Sequence, residues 1–391
     1  MQSFITLTKT GYMSGIYIHI PFCRTRCHYC DFYTTTQIKR KPELVDALIK
    51  EMELRQLWLE GETIKTIYFG GGTPSLLSAD EVSMILDAAN NLFRLDSKSE
   101  ITIEANPDDL STKQIRLLAN TPVNRFSIGI QSFHNHQLQL MNRRHTAQEA
   151  VDSVKRVQDA GIHNISVDLI YGLPESNRTL WNQNLEQVSA LNVKHLSAYH
   201  LTYEKGTVFE VKSRQGKIFP CSEEESILQF KALVNWAKEQ DFIHYEISNF
   251  GKKGFFSQHN TNYWMQQKYI GLGPSAHSYN IETRSWNVSN LSVYVNTIQK
   301  GELPQESETL SEKNKYNEFL ITSLRTRWGI KLDVFERLFG SEEKERLIQK
   351  AAPYIKQEKL YLKDNSMILT DEGVFLSDLV LSELMVLPDE D

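Results

Sequence analysis

Cysteine, long apolar runs and excess positive charge are all scarce in this chain. Only four cysteines occur among 391 residues, too few to build a fold on disulfides. No apolar run approaches the length that spans a bilayer, and residues 1–15 lack the apolar core of a signal peptide. The formal net charge of −6 argues against broad nucleic-acid binding. We therefore expect a cytoplasmic protein with no transmembrane segment and no nucleic-acid partner.

The residues that are present describe an ordinary globular protein, with 40% hydrophobic and 24% charged residues. A chain of 391 residues exceeds the usual size of one hydrophobic core, so we expect a large domain and a smaller one. Three of the cysteines crowd into residues 23–30, whereas Cys221 stands alone. In a reducing compartment such clustering indicates a metal site, and Cys221 is most simply a bystander thiol.

The first two hundred residues repeat one rhythm, in which a short β-branched or aromatic run is followed by a loop and an amphipathic stretch. The strand-like runs are residues 15–20, 64–69, 100–104, 124–130, 164–171 and 195–201. Capping boxes at Ser78–Glu81 and Thr146–Glu149 announce two of the helices. Six βα units predict an α/β fold with a parallel sheet, curved into a partial (β/α)6 or full barrel. An open doubly wound sheet would give the same alternation.

The chain after residue 221 loses this rhythm. We divide the whole chain into three parts. They are a barrel domain at 1–221, a barrel extension and connecting segment at 222–301, and a smaller module at 302–391. In the last part, helical patterns near 315–325, 332–339 and 341–356 precede a hairpin within 360–371 and a final helix at about 374–385. Three helices and a hairpin predict a helical, winged-helix-like C-terminal module.

Polar and glycine-rich segments follow successive predicted strands at the point where each strand ends. In parallel βα folds the active site lies at these carboxyl ends. The segments, in strand order, are the three cysteines, Gly70–Pro74, Glu104, Gln131 and Gly172–Pro174. Their coincidence at one edge of the sheet predicts a functional site there.

Cys23, Cys27 and Cys30 have the spacing C-x3-C-x2-C in the loop after the first strand. Thiolates are preferred ligands of iron–sulfur clusters and of zinc. Three cysteines on a cubane leave one iron unligated, which suits a cluster that binds a small molecule. A structural zinc site needs four protein ligands, and His28 could complete a Cys3His set, so this alternative stays open.

The other strand-end residues offer partners for a polar cofactor. Asp168 lies within an otherwise apolar strand, where a carboxylate is costly unless it is paired or functional. Carboxylates and amides such as Glu104 and Gln131 suit ribose hydroxyls, and Arg143 suits a carboxylate. The alternative is a structural ion pair between Arg143 and Asp168.

Five segments resemble the radical-SAM superfamily, and within it the oxygen-independent coproporphyrinogen III oxidase group. They are YIHIPFC, GGGTPS, EANP, SIGIQSF and VDLIYGLP, all between residues 15 and 205. The resemblance implies a [4Fe–4S] cluster on Cys23, Cys27 and Cys30, with S-adenosylmethionine on its open iron. By position, the residues implied to contact that cofactor are Tyr17, Tyr29, Gly71, Gly72, Thr73, Glu104, Gln131, Arg143 and Asp168.

Two departures from the oxidase pattern favour the heme chaperone branch, HemW, of that group. Phe32 stands where the oxidases have a fourth cysteine, and the sequence begins fourteen residues before the first strand, without the oxidases' N-terminal extension. His259, Tyr263 and Trp264 form the HNxxYW motif that this branch associates with heme binding. Imidazole is a common axial ligand of heme iron. A surface loop packing on the barrel is the other interpretation of that motif.

The resemblance implies a chaperone that binds heme as cargo and delivers it to acceptor hemoproteins, respiratory ones at the membrane among them. Peripheral membrane contact and an electron donor fit this role. Oxidative decarboxylation of coproporphyrinogen III to protoporphyrinogen IX is the alternative, so whether the chain is an enzyme stays open. A radical-SAM enzyme that opens heme and a zinc-held scaffold are further hypotheses.

Overall fold

The computed structural model describes residues 13–386 and has two large hydrophobic cores, one in the N-terminal barrel and one in the C-terminal module, with a smaller third cluster that includes Leu138, Ile170 and Phe209. Residues 1–12, on which most of the signal-peptide argument rests, lie outside the described residues. No helix within residues 13–386 is long and apolar enough to cross a bilayer.

Six parallel strands confirm the predicted βα rhythm. They are β1 (Met13–Ile20), β2 (Thr63–Gly71), β3 (Leu95–Ala105), β4 (Arg125–Gln131), β5 (Ile165–Tyr171) and β6 (His195–His200). The helices that follow are α1 (Lys41–Leu54), α2 (Ala79–Leu92), α3 (Thr112–Leu118), α4 (Asn135–Leu140), α5 (Ala147–Asp159), α6 (Arg178–Leu191), α7 (Val208–Arg214) and α8 (Glu223–Glu239). Both predicted capping boxes are formed, at the starts of α2 and α5.

Further strands extend the sheet on both sides. They are β7 (Ile243–Glu246), β8 (Asn249–Gly251), β9 (Tyr269–Leu272), β10 (His277–Tyr279), β11 (Thr283–Asn287) and β12 (Gln305–Thr309), with helices α9 (Gln258–Trp264) and α10 (Leu291–Gln299) between them. The sheet order is β12-β11-β10-β9-β1-β2-β3-β4-β5-β6-β8-β7. β9 pairs in parallel with β1, whereas β8 is antiparallel to β6, so the sheet is an open, partial barrel.

The C-terminal module has the predicted helix and hairpin content. Its elements are α11 (Glu312–Leu324), β13 (Ile330–Lys331), α12 (Leu332–Phe339), α13 (Ser341–Lys356), β14 (Leu360–Lys363), β15 (Ser366–Leu369), α14 (Asp371–Phe375) and α15 (Ser377–Leu384). Helix, short strand, two helices and a hairpin in this order form a winged-helix-like arrangement. The single final helix expected at 374–385 is two helices, because Leu376 leaves helical geometry (φ −105°, ψ 15°).

The predicted domain boundaries remain a proposal, which the two cores help to place. β12 follows residue 302 yet pairs with β11 in the large sheet. The second core begins at Tyr316 on α11. We therefore favour a division between β12 and α11 over one at 302.

The barrel strands place apolar side chains outside and polar side chains inside. On β1, Ile16, Ile18 and Ile20 are fully buried in the core that includes the surrounding helices. The residues between them, Tyr17 and His19, face the interior, where their side chains are hydrogen-bonded to each other at 3.1 Å. This period-two alternation repeats on the neighbouring strands, so the interior of the barrel is lined by groups able to bind a polar ligand.

Helix α9 packs against the amino ends of the strands, away from the cysteines. Glu100 on β3 accepts the backbone N–H groups of Gln258 and His259 at 2.9 and 3.2 Å. A carboxylate is favourable there because the first N–H groups of a helix carry partial positive charge. The carboxyl ends of the strands are thus left to form the site.

Candidate functional site

The three clustered cysteines lie on the wall of one large cavity at the carboxyl ends of the strands. The cavity measures about 1060 Å³. Cys23, Cys27 and Cys30 are free thiols and half-buried. The loop is held against the barrel because Cys23 N–H donates to the Thr35 carbonyl at 3.0 Å and Thr35 N–H donates back to Pro21 at 2.7 Å. The predicted convergence of strand-end residues is therefore present in the structure.

Hydrogen-bond donors face two of the sulfurs. Thr73 Oγ1 lies 3.5 Å from the Cys23 sulfur, and Arg143 Nη1 lies 3.4 Å from the Cys27 sulfur. Asn106 connects the two donors, because its Nδ2 donates to Thr73 at 3.2 Å and its Oδ1 accepts from Arg143 at 2.6 Å. Donors of this kind stabilise thiolate over thiol, which is the form that binds iron.

Burial makes Cys23 and Cys30 poor thiolates when no metal is bound. It raises the pKa of Cys23 and raises that of Cys30 to about 11. Within residues 13–386, no three His, Cys, Asp or Glu side chains are close enough to share one metal ion. The cysteines of a cubane cluster bind different irons and need not converge on a point, so this donor set fits a cluster.

His28 does not complete a zinc site with the cysteines. Its Nδ1 lies 2.8 Å from the Leu140 carbonyl, and its ring packs against Phe209 at 5.9 Å. His28 does not line the cavity on whose wall the cysteines lie, and it forms no group of three metal-ligating side chains within residues 13–386. The Cys3His alternative is therefore contradicted by the geometry.

Glu104 lies on the cavity wall at the end of β3. Its Oε1 accepts from the Tyr68 hydroxyl at 2.8 Å, and its Oε2 accepts from the Gly71 N–H at 3.2 Å. Desolvation by burial is the main reason that its pKa is raised to about 7, although the bond from Tyr68 acts in the opposite direction. A carboxylate held in this way can accept hydrogen bonds from ribose hydroxyls.

The Gly71–Gly72–Thr73 segment needs glycine for two separate reasons. Gly71 has φ +107°, and a Cβ there would lie 2.7 Å from the His19 ring. A Cβ on Gly72 would lie 2.8 Å from the backbone of Pro21 and Phe22. Close approach of this backbone to the cysteine loop places Thr73 at the cluster position.

The ion pair suggested as an alternative for Arg143 and Asp168 is not formed. Arg143 instead donates to Asn106 and to the Gly129 carbonyl, both at 2.6 Å. Asp168 accepts from the Ser127 hydroxyl at 3.1 Å, and burial raises its pKa. Both side chains line the cavity independently and keep capacity for a ligand.

The remaining predicted cofactor residues divide into two groups. Tyr29 and Gln131 line the cavity, Tyr29 in hydrogen-bond contact with Cys27 and Gln131 at a left-handed φ of +70°. Tyr17 is not on the cavity wall but lies one layer deeper in the barrel, between His19 and Tyr68. Its predicted contact with the cofactor remains a prediction.

His259 lies in the barrel interior, beneath the cavity. Its Nδ1 is 2.8 Å from the Thr66 hydroxyl and its Nε2 is 2.8 Å from the Tyr263 hydroxyl. The ring stacks on Tyr68 at 5.1 Å and is 1% exposed. Burial lowers its pKa to about 3, so it is neutral. With both nitrogens engaged, His259 offers no ligand to iron in this conformation.

Tyr263 and Trp264 follow His259 on α9, and neither lines the large cavity. The HNxxYW segment is thus helical, and it is not the surface loop of the alternative interpretation. It is a helix that closes the amino end of the barrel. Its predicted role in heme binding remains a prediction, and it requires the His259–Tyr263 contact to open.

Sequence reasoning missed two residues of the site, Asn106 and Tyr68. Asn106 connects the two sulfur donors and lies two residues after Glu104 in the EANP segment, so its position in that segment was an available signal. Tyr68 orients Glu104 and comes from the strand that precedes the glycines. Alternation of polar residues along β2 could have indicated that Tyr68 faces the interior.

Three free cysteines after the first strand, a glycine segment after the second and polar strand ends around one cavity define a radical-SAM protein. The sequence model of the Radical SAM superfamily matches residues 17–182, and that of the HemN C-terminal domain matches residues 310–376.

Curated relatives place the chain within that class. It is 34% identical over 373 residues to the heme chaperone HemW of Lactococcus lactis, covering 95% of this chain and 97% of the relative. It is 32% identical to the heme chaperone HemW of Bacillus subtilis, with 94% and 100% covered. A mitochondrial radical S-adenosyl methionine domain-containing protein 1 of Danio rerio is 28% identical, with 95% and 87% covered. The chain belongs to the HemW family.

The fold has a close counterpart among solved structures. Coproporphyrinogen III oxidase HemN of Escherichia coli superposes with a TM-score of 0.83 at 20% identity, covering 96% of this chain and 91% of that one. The likeness confirms the predicted α/β architecture with its helical C-terminal module.

Proposed function

We propose that this chain is a heme chaperone that binds heme, carries an S-adenosylmethionine-ligated [4Fe–4S] cluster and delivers heme to acceptor hemoproteins. Its identity to relatives named heme chaperone extends over nearly the whole length of both chains. The observation that carries the proposal is a single cavity of about 1060 Å³ that contains the three free cysteines and continues beyond them. The cavity lies at the upper end of the roughly 300–1,000 Å³ range of small-ligand pockets, and its lining extends from the cysteines to α8 and to the junction of α14 and α15.

Cys23, Cys27 and Cys30 are the residues that would hold the cluster. The Thr73 hydroxyl and the Arg143 guanidinium would donate to the first two of their sulfurs, as they do to the free thiols. When bound, a cluster of this type supplies the electron that cleaves the sulfonium of S-adenosylmethionine.

The cavity residues around the cysteines would bind and orient S-adenosylmethionine. Glu104 and Asp168 offer carboxylate acceptors for ribose hydroxyls, and Arg143 offers a cation for the methionine carboxylate. Gly71, Gly72 and Thr73 offer backbone groups, with Tyr29 and Gln131 on the adjoining wall. Tyr17 lies one layer deeper in the barrel than the cavity wall, and it would act through the hydrogen bond between its hydroxyl and His19.

Acceptor hemoproteins, respiratory ones among them, and an electron donor complete the proposed cycle. We also propose a cytoplasmic location, with peripheral contact at a membrane where the acceptor lies there. The absence of a spanning helix within residues 13–386 is compatible with such contact.

Phe32 argues against the alternative oxidase activity. It stands in the place of the oxidases' fourth cysteine, is 63% exposed and lies on the cavity wall. Its phenyl ring supplies no thiol to the wall at this position. The likeness to HemN concerns the fold, and it does not carry the oxidase chemistry to this chain.

One anaerobic experiment tests the proposal. The full chain is reconstituted with iron and sulfide, its iron and sulfide are counted, and heme is titrated by absorbance. The same sample is then supplied with S-adenosylmethionine and either heme or coproporphyrinogen III. We expect a cluster and saturable heme binding, with no vinyl product.

Two results would overturn the proposal. A protein that fails to bind heme is not a heme chaperone. Formation of protoporphyrinogen IX from coproporphyrinogen III would restore the oxidase hypothesis. A variant in which all three cluster cysteines are serine is the matched control, because its iron content should fall to background.

A further inference from the structure

The cavity extends away from the cysteines into an apolar half that no cofactor contact accounts for. Its walls come from α8, from the end of β5 and from the junction of α14 and α15. The residues that line this half include Tyr171, Ile227, Phe230, Val374, Phe375 and Leu376. Phe230 and Phe375 meet edge to face at 4.7 Å, which ties the barrel to the C-terminal module. Such a wall suits a flat, largely apolar ligand.

One histidine, His200 at the end of β6, is placed on this wall. It is exposed and lines the cavity. Its Nε2 is 3.1 Å from the Ser226 hydroxyl, and the same edge of the ring lies beside Gly172, where a Cβ would be 2.7 Å away. Nε2 is therefore turned toward the protein, and Nδ1 is on the opposite side of the ring.

The hydrogen bond to Ser226 prepares His200 for metal binding. Histidine ligands typically donate their second ring N–H to a fixed acceptor, which sets the tautomer and the orientation of the ring. With Ser226 accepting from Nε2–H, the lone pair is on Nδ1, for which the described residues contain no hydrogen-bond partner. Partial desolvation at the cavity wall lowers the pKa of His200 from its ordinary value, which favours the neutral ring at physiological pH.

A thiol, a cation and the carboxylates of Glu204, Glu223 and Asp378 accompany His200 on the cavity walls. Cys221 is free, half-buried and hydrogen-bonded to the same Ser226 hydroxyl. Arg325 donates to Asp378 at 2.9 Å, while its buried Nε has no partner within residues 13–386. A guanidinium beside an apolar wall can pair with the carboxylate of a ligand whose body is apolar.

We propose that this apolar half of the cavity is where heme binds, with His200 as the axial ligand of the iron and Arg325 as the partner of a propionate. The proposal rests on the proposed heme chaperone function and names the site for it. It replaces His259, whose ring nitrogens are both engaged beneath the cavity. Heme would then occupy the same cavity as the residues proposed for S-adenosylmethionine.

The test uses the full chain, reconstituted with its cluster, and four single variants. His200→Ala removes the proposed ligand, and Leu376→Glu places a charge on the apolar wall, where Leu376 is 37% exposed. His277→Ala is the matched control because His277 is also an exposed histidine but does not line the cavity. His259→Phe tests the competing site on α9.

Hemin and metal-free protoporphyrin IX are titrated into each variant. We expect His200→Ala to raise the dissociation constant for hemin at least about tenfold and to shift the Soret band, since an axial bond is lost. Metal-free protoporphyrin binding should be unchanged in His200→Ala and weakened by Leu376→Glu. His277→Ala should behave as the unmodified chain.

The outcomes separate this inference from the function on which it rests. If the unmodified chain does not bind hemin, the proposed function itself fails. If it binds hemin but His200→Ala stays within about twofold with the same Soret band, the site is wrong while the function stands. A loss of hemin binding in His259→Phe alone, in a variant that keeps its cluster, would move the site to α9.

Discussion

Arg143 Nη1 lies 3.4 Å from the Cys27 sulfur, while Nη2 donates to Asn106 and to the Gly129 carbonyl at 2.6 Å. One guanidinium thus joins the cysteine loop after β1 to the ends of β3 and β4. The cation proposed to bind the methionine carboxylate is fixed by the same residues that position the cluster. Cluster and cofactor binding should therefore be coupled through Arg143.

Arg143→Lys should weaken S-adenosylmethionine binding while leaving the cluster in place. Lysine keeps the charge but loses the forked geometry, and it cannot bond Asn106, Gly129 and Cys27 at once. We expect the dissociation constant to rise roughly tenfold to a hundredfold, which corresponds to about 1.4–2.8 kcal/mol. Isothermal titration of the reconstituted protein measures the affinity, and iron content checks the cluster.

Arg144→Lys is the control for that variant. Arg144 pairs with Asp108 at 3.0 Å and is 40% exposed, so its replacement should leave the affinity unchanged. An equal loss of affinity for S-adenosylmethionine in both variants would mean that the substitutions disturb the loop that contains Arg143 and Arg144 as a whole. Unchanged affinity in Arg143→Lys would remove Arg143 from the cofactor site.

Glu104 should make S-adenosylmethionine binding depend on pH. Its pKa is raised from 4.5 to about 7, mainly by desolvation. Below that pH the carboxyl group of the ligand-free protein is protonated, and above it the carboxylate accepts ribose hydroxyls better. Affinity should increase between about pH 6 and about pH 8, and Glu104→Gln should remove this dependence.

The raised pKa of Glu104 also affects the stability of the fold. Stability should decrease with rising pH, whereas the affinity for S-adenosylmethionine should increase. A carboxyl group whose pKa is raised on folding costs stability as the pH rises from 4.5 to about 7, because only the unfolded chain ionises freely. Glu104→Gln should lessen that loss. Glu43→Gln, on the surface of α1, should leave both pH profiles unchanged; a flat binding profile in the unmodified chain would refute the assignment.

Local sequence pattern was sufficient for the barrel strands and for most of the C-terminal module. The predicted run at 64–69 lies within β2 (Thr63–Gly71), and the helix expected at 332–339 has the bounds of α12. These elements depend on periodicity and caps, which are properties of neighbouring residues. The positions of the cysteines and of Glu104 around one cavity followed from the rule that parallel strands end at one edge. Arg143, which we expected among the strand-end residues, lies in the loop between α4 and α5.

The pairing of strands that are far apart in the sequence could not be predicted from local sequence pattern. β9 is only four residues long, and its parallel pairing with β1 joins residues more than 250 positions apart. The burial of His259 is a similar case, because its partners Thr66 and Tyr68 are on a strand far away in the sequence. A motif identifies residue types, whereas the side of the barrel on which they lie is decided by tertiary packing.

His259→Ala should destabilise the fold. Removing the ring leaves the Thr66 and Tyr263 hydroxyls without their partner and opens a void against Tyr68. A void and lost buried hydrogen bonds together predict a decrease of about 2–4 kcal/mol in the free energy of unfolding. Urea denaturation measures it, with the exposed His163→Ala as the control. Equal stability of the two variants would contradict the structural role.

Glu51 on α1 should be the most sensitive carboxylate for stability. It is fully buried and bonds Arg55 at 2.9 Å, Asn287 at 2.8 Å, Tyr294 at 2.6 Å and the Gly273 N–H at 2.9 Å. These contacts attach α1 to β11, α10 and the end of β9. Glu51 therefore holds the antiparallel flank of the sheet against the parallel strands.

Glu51→Ala should lower the free energy of unfolding by about 3–5 kcal/mol, because it leaves the buried Arg55 charge without its partner. Arg55 is 2% exposed, so water cannot replace the lost carboxylate. Glu53→Ala is the matched control two residues away, where the carboxylate is exposed and pairs with Lys50. That pair should contribute at most about 1 kcal/mol. Urea denaturation measures the free energy of unfolding of both variants. A similar loss in Glu51→Ala and Glu53→Ala would mean that the buried hydrogen bonds of Glu51 do not hold the antiparallel strands in place.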